Sequence, residues 1–426
     1  MALFRFLKYW NGLSSWKKIL ISLILGAITG LFLGPRADLF KPIGNLFINA
    51  IHMMVTPVVF TAIVCAVLSV TDVKKMRNVT IQAAFIYILS MAVAATIGIS
   101  IASLIAPGSH FHPVFAQMHT VVKAPSFSQL FENLIPRSPI GAFAHEYILQ
   151  IVVFAFFLGV SIKLAKDQAK PVVDFFHGFS AVVFKLAGIV VSFAPYGVFA
   201  LIAWTFGNFG LHAILPLAKF VGTVYLGCFA QIIFVYTLTL LFVSRLNPLT
   251  FFKGIASAMS FAFTTSSSAA TLPVSMKCAE ENLGVPKSIT RFLLPLGSSF
   301  NLNGLSIYLS TAVIFAANMY GIHLTMAQYI TVITTVMLTA MGAASVPGSA
   351  LIIMGAVMSA VGIPLGALAL VAGVDRLNDM AQTATNVTGD LFSATFVADN
   401  QKLLDRSKWD ESTPVIDEVA SEIASE

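Results

Sequence analysis

Apolar runs long enough to cross a bilayer recur from one end of this chain to the other, and they leave few folds open to it. In lipid, every backbone N–H and C=O must be satisfied within the protein, so only helices or a closed barrel can span. The first runs fall at about 19–34, 43–70, 81–106, 145–164, 173–204 and 213–244. Each holds roughly the 20 residues that a spanning helix needs, twice what a barrel strand would use. The chain is therefore expected to be an all-α polytopic membrane protein. Its composition agrees, with 57% of the 426 residues hydrophobic and 10% charged.

The basic residues set the orientation. Lys8, Lys17 and Lys18 precede the first run, and Lys74, Lys75 and Arg77 follow the second. Lys163, Lys166 and Lys170 follow the fourth, and Arg245 and Lys253 the sixth. All fall on one side if the N-terminus is cytoplasmic, which predicts a multi-pass protein of the inner (plasma) membrane with both termini inside. The net charge of +6 is thus a topology signal and not a nucleic-acid one. No small-residue cleavage site follows the first run, so it reads as a spanning helix and not as a signal peptide. His110, His112 and His119, in the longest polar connection (about 107–144), lack Cys or acidic partners and read as solvated, as does the pair His145 and Glu146. Cys65, Cys228 and Cys278 are odd in number and far apart, and read as thiols without a disulfide or metal role.

After Arg245 the pattern changes. The apolar segment at about 250–283 is broken by Thr264-Thr265-Ser266-Ser267-Ser268 and returns to a charged stretch on the side it came from. That is the pattern of a re-entrant helical hairpin with a buried polar tip. A span at about 288–320 follows, interrupted between Gly297 and Gly304. The phrase then repeats from the other face: a segment at about 326–364 is broken at Gly342–Ser349, and a helix from about Leu365 carries Asn386-Val387-Thr388-Gly389. Hairpin plus broken helix, twice and inverted, predicts a binding site where the broken elements meet at the midplane.

In that last helix Asp379, Gln382, Thr383, Asn386 and Asp390 fall on one stripe. A charged side chain at bilayer depth normally faces a protein interior or a watery cavity, and helix-gluing polar seams do not need two acids. The serine tip offers N–H donors and a helix dipole to a carboxylate. Asp379 can pair with an ammonium, while Thr383 and Asn386 can bond the remainder of an amino-acid backbone. Backbone unwound at Asn301–Gly304 and Asn386–Gly389 would free carbonyls for an alkali cation, and Asp390 biases that place toward Na⁺. The sequence carries no nucleotide-binding loop or catalytic triad, so it does not read as an enzyme; transport driven by an ion gradient is expected, with no cofactor beyond Na⁺ as coupling ion.

The tip ending Ala270-Thr271-Leu272-Pro273, the break Asn301-Leu302-Asn303-Gly304, the segment Val346-Pro347-Gly348 and the run Asp379…Thr383…Asn386-Val387-Thr388-Gly389-Asp390 together resemble the dicarboxylate/amino acid:cation symporter family. The resemblance implies eight membrane helices plus two re-entrant hairpins, inverted repeats, a homotrimer and an elevator-type motion. It implies a scaffold and trimerisation region at 1–249, whose third and sixth helices pack with a transport core at 250–400. Residues 401–426 would form a disordered cytoplasmic tail, in line with their acidity. By resemblance Ser266, Ser267, Ser268, Val346, Pro347, Gly348, Asp379, Gln382, Thr383 and Asn386 line the substrate pocket. Gly297, Asn301, Asn303, Asn386 and Asp390 would surround a cation. Backbone around Ala340, Met341 and Ala343 would hold a second, and Tyr87 and Ser90 would serve a third.

The departures from the family pattern shape the functional expectation. Members with acidic substrates carry an arginine where this chain has Gln382, and a carboxamide cannot neutralise a second carboxylate. Arg376 lies six residues earlier, about 600° around the helix, and is not expected to substitute. The sequence thus predicts a Na⁺-coupled importer of a small neutral amino acid such as serine, threonine, alanine, asparagine or glutamine. The alternatives are an acidic amino acid or C4-dicarboxylate symporter, coupled to Na⁺ or H⁺, and an anion channel on the same fold. The family's usual Asn-Met-Asp-Gly-Thr break has Asn303 in place of the acid and Leu305 in place of the threonine, and Met91 takes a hydroxyl position. Fewer than three Na⁺ per cycle are expected on that account.

Overall fold

A computed structural model describes residues 15–69, 77–109, 135–145, 148–341 and 349–410. The N-terminal half runs through α1 (Ser15–Leu33), α2 (Lys41–Ser69), α3 (Arg77–Ile105), a short α4 (Pro139–Ala144), α5 (Ile148–Leu164), α6 (Lys170–Ser192), α7 (Ala194–Phe209) and α8 (Ile214–Ala230). Beyond α8 the helix widens to π geometry at Gln231–Thr237 and Leu240–Ser244. Among the described residues there is no strand. Among the described residues, five helical stretches are long and apolar enough to cross a membrane: Ile21–Phe47, Asn78–Ile105, Lys166–Val190, Ile214–Ser244 and Lys287–Tyr320. Large apolar side chains such as Phe32, Leu104 and Phe242 stand out from the surface, where lipid is the solvent that suits them.

Two of the expected spans differ in detail. The run at 173–204 is not one helix but most of α6 and most of α7, which meet at Phe193. Pro195 sits in the first turn of α7, where its missing N–H leaves no helical bond unmade, so the helix restarts there. The span expected from 145 is described as helix over Ile148–Leu164, and Pro139–Ala144 form the separate α4, capped by Ser138 accepting from the Gly141 N–H.

The C-terminal half holds the two hairpins. The first is α9 (Pro248–Thr265) and α10 (Ser268–Lys277), extended by a wide turn at Cys278–Asn282. Then come α11 (Lys287–Phe300) and α12 (Asn303–Tyr320). The arms of the second are α13 (Met326–Ala340), entered through a Thr325–Gln328 capping box, and α14 (Ser349–Ala360). The long α15 (Ala367–Asn400) packs against α7, α8, α9, α11 and α12. Every residue of α12 from Asn303 to Ala317 is buried, so this helix, which continues α11, is an axle inside the protein.

The expected unwinding at Asn386–Gly389 does not occur, because α15 is helical throughout. Thr385 and Thr388 bond back to the carbonyls of Ala381 and Ala384, and a lone glycine is tolerated within a helix. Gly389 serves close approach instead: a Cβ there would lie 2.5 Å from the Tyr236 hydroxyl and 2.8 Å from Asn303 Nδ2.

Beyond α15 the chain turns back as a strap. Asp405 N–H donates to the Gly284 carbonyl (3.0 Å) and Trp409 Nε1 to that of Leu283 (3.0 Å), at the base of the first hairpin. Arg406 bonds both Asp399 (2.7 Å) and the Ser244 carbonyl (3.1 Å). The folded chain therefore continues to Asp410, past the point at residue 401 where the sequence pattern gives way to a tail.

Candidate functional site

The tip of the first hairpin is built by its hydroxyl residues. Serine and threonine side chains offer the backbone local bonds that compete with helix, which suits them to caps and turns. Helix α9 stops at Thr265, and Ser266 takes a left-handed φ of +52°. Ser267 then caps α10, its Oγ accepting from the Ala270 N–H at 3.2 Å. Ser266 is buried, and its Oγ has no hydrogen-bond partner. The tip thus presents the positive end of α10 beside an unused hydroxyl.

The predicted stripe on α15 is present, and Asp379, Gln382, Thr383, Asn386 and Asp390 are all buried. Asn386 Oδ1 accepts from the Gly304 N–H at 2.7 Å, tying α15 to the break between α11 and α12. That break is narrower than the sequence suggests, since only Asn301 and Leu302 leave the helix. The Gln382 Nε2 is buried without a partner.

Around Asp390 the structure gathers the cation-site residues expected from distant parts of the chain. Asn301 Nδ2 donates to Asp390 Oδ1 (3.1 Å), and Ser90 Oγ donates to Asn303 Oδ1 (2.9 Å). Asn303 Nδ2 donates to Asn301 Oδ1 (2.9 Å), and the Tyr87 hydroxyl to the Leu293 carbonyl (3.1 Å). Gly297 backs onto both Asp390 Oδ1 and the Tyr87 hydroxyl. The second cation place is partly in view: Ala340 is buried at the end of α13 and Met341 follows it. Ala343, Val346, Pro347 and Gly348 lie outside the described residues, as do His110, His112, His119 and Glu146.

Two residues belong to this cluster that sequence reasoning missed. The Tyr236 hydroxyl accepts from Asn303 Nδ2 at 2.8 Å, and Gln231, fully buried, reaches the Ser90 carbonyl at 3.4 Å. A glutamine in an otherwise apolar span was the available signal, because a membrane helix buries such a group only against a partner.

A third residue was set aside and proves to be present. Arg376 Nη1 lies 3.4 Å from Asp379 Oδ2, and its Nη2 donates to the Thr265 carbonyl at 3.1 Å. Measured against Gln382, Arg376 is on the wrong side of the helix. Asp379, however, is three residues from each, which places it within reach of both. One turn away Asp375 accepts a bond of 2.6 Å from the Tyr308 hydroxyl.

Comparison with known proteins gives one consistent answer. The family model described as the sodium:dicarboxylate symporter family matches residues 16–400. The chain is 33% identical over 408 residues to the proton/sodium-glutamate symport protein of Geobacillus stearothermophilus, covering 92% of this chain and 94% of that one. It is 32% identical over 399 residues to the proton/glutamate-aspartate symporter of Bacillus subtilis (92% and 96% covered). It is 34% identical over 397 residues to C4-dicarboxylate transport protein 2 of Polaromonas naphthalenivorans (90% and 88% covered).

Proposed function

This chain belongs to the sodium:dicarboxylate symporter family, and on that footing we propose that it imports a small acidic amino acid or C4-dicarboxylate together with a coupling cation. It is a transporter and not an enzyme. The observation that carries the reading is the guanidinium of Arg376 beside Asp379 and the serine tip. The α10 N-terminus and Ser266 would receive one carboxylate of the substrate. Asp390, with the Asn301 carboxamide bonded to it, would hold the Na⁺ that makes a buried carboxylate tolerable. The relatives named above carry glutamate, aspartate or C4-dicarboxylates by name, which supports the same substrate class.

The second reading is the neutral amino acid expected from Gln382, whose unpartnered Nε2 could bond a polar uncharged side chain. Uptake into proteoliposomes separates the two, with glutamate, aspartate, succinate, serine and glutamine tested under Na⁺ and H⁺ gradients. Acidic substrates should be accumulated and serine ignored; serine uptake with aspartate ignored would reverse the order of the two readings. The homotrimer, the elevator motion and the division into scaffold and transport core are part of this proposal, and inter-subunit cross-linking would test the first.

One variant tests the cation count. Asn303 donates to both Tyr236 and Asn301, so the position that is an acid elsewhere in the family closes a hydrogen-bond network here. In Asn303→Asp those donations vanish and a carboxylate faces the Asn301 oxygen, an arrangement that a cation would relieve. The Hill coefficient for Na⁺ in uptake should rise; an unchanged coefficient with intact transport would count against the argument.

A further inference from the structure

The guanidinium of Arg376 is short of an acceptor. Its Nη2 is used by the Thr265 carbonyl at 3.1 Å, but its bond to Asp379 is long at 3.4 Å and its Nε is buried with no partner. The next residue after Thr265 is Ser266, whose Oγ is likewise buried and unbonded. Buried donors are almost always satisfied, and those left open in one neighbourhood point to a missing acceptor. A carboxylate is the acceptor whose geometry matches the planar fork of an arginine.

We infer that Arg376, and not the residue at position 382, receives the distal carboxylate of the substrate, and that the substrate is an acidic α-amino acid in preference to a C4-dicarboxylate. The inference rests on the transport reading above and deepens it. Arg376 and Asp379 form an ion pair. An amino diacid replaces that pair partner for partner: its distal carboxylate takes the guanidinium and its ammonium takes Asp379. Its α-carboxylate goes to the α10 N-terminus. Succinate has no ammonium, so on taking the guanidinium it would bring two carboxylates up to the buried Asp379 with no added cation to offset them, a disfavoured arrangement. Arg376 also holds the carbonyl that precedes the left-handed Ser266, so moving the guanidinium onto substrate loosens the hairpin tip as the substrate arrives.

The test uses the full chain in proteoliposomes and in detergent. The wild type is compared with Arg376→Ala, Arg376→Lys, Gln382→Ala and Asp379→Asn. Uptake of labelled aspartate, glutamate, succinate and serine is paired with the shift in unfolding temperature that Na⁺, aspartate, asparagine and succinate each produce. Arg376→Ala should lower aspartate kcat/KM about 100-fold, the size expected when one partner of a buried charge pair is removed. It should keep the Na⁺-induced shift and lose the aspartate-induced shift, and Arg376→Lys should recover part of both. Gln382→Ala should change aspartate uptake less than about tenfold, as for loss of a neutral hydrogen bond. Asp379→Asn should lower aspartate uptake relative to succinate. The inference is overturned if Arg376→Ala and Arg376→Lys keep aspartate uptake within a few-fold of wild type, or if the aspartate and asparagine shifts are lost together. A wild type that favours succinate over aspartate overturns the substrate preference alone. A wild type that moves only neutral amino acids sinks the transport reading itself, which the variants do not probe.

Discussion

With Asp390 replaced by alanine, Na⁺-driven uptake is expected to fall by about 100-fold or more, from roughly 3 kcal/mol for removing one member of a buried charge-paired site. Asp390 is buried on a continuous helix, with the Asn301 carboxamide bonded to it and Gly297 and Tyr87 close against it. No other acid shares the stripe at that level, so nothing on α15 can take over the charge. The variant should still fold, since Asn303 keeps its bonds to Tyr236 and Asn301. Asp390→Asn isolates the charge: it keeps the shape and should share the loss of Na⁺ dependence. Uptake would be measured at a series of Na⁺ concentrations. Wild-type Na⁺ affinity in both variants would remove Asp390 from the cation site.

Gly304→Ala should be strongly damaging for so small a substitution. A Cβ there would sit 2.2 Å from the Gln382 carbonyl oxygen, 2.6 Å from its Cα and 2.7 Å from its carbonyl carbon. All three are backbone atoms of a packed helix and cannot rotate away. The break in the axle would have to separate from α15, and the bond from the Gly304 N–H to Asn386 would be lost with it. Overpacking of this kind costs about 1–3 kcal/mol. The stripe on α15 and the side chains gathered at the break, which are the proposed substrate and cation sites, would move apart at the same time. A lowered unfolding temperature in detergent and loss of uptake are the expected results; a variant that is as stable and as active as wild type would show that the contact is not tight.

The elements most legible in the sequence were those whose chemistry is local. The stripe from Asp379 to Asp390 follows from helical spacing alone, and the serine tip and the Asn301–Gly304 break declare themselves because polar breakers in apolar runs need a buried purpose. What was not legible depended on packing partners. Asn386–Gly389 looks like a second break, yet it stays helical, and Gly389 serves the close approach of Tyr236 and Asn303 instead. The sequence marks Pro195 but does not say that α6 and α7 part there. Tyr236 carries no sign of its own in a span full of aromatic residues, and only the fold brings it to Asn303. Arg376 was set aside because it lies off the Gln382 direction, and its contact with Asp379, three residues along, was not weighed. The neutral-substrate expectation came from Gln382 standing where members with acidic substrates carry an arginine.

The strap beyond α15 bears on how the molecule is made. The Leu283 carbonyl at the base of the first hairpin is matched by Trp409, 126 residues later in the chain. Synthesis proceeds from the N-terminus, so that hairpin enters the membrane with its base unsealed and is closed only once the strap, 126 residues further on, has been made. A stop codon or a protease nick after Asn400 would spare every residue of the binding stripe. It would still strip Leu283, Gly284 and Asp399 of their partners, and quality control would then be faced with an open hairpin in a chain whose transport machinery is otherwise complete.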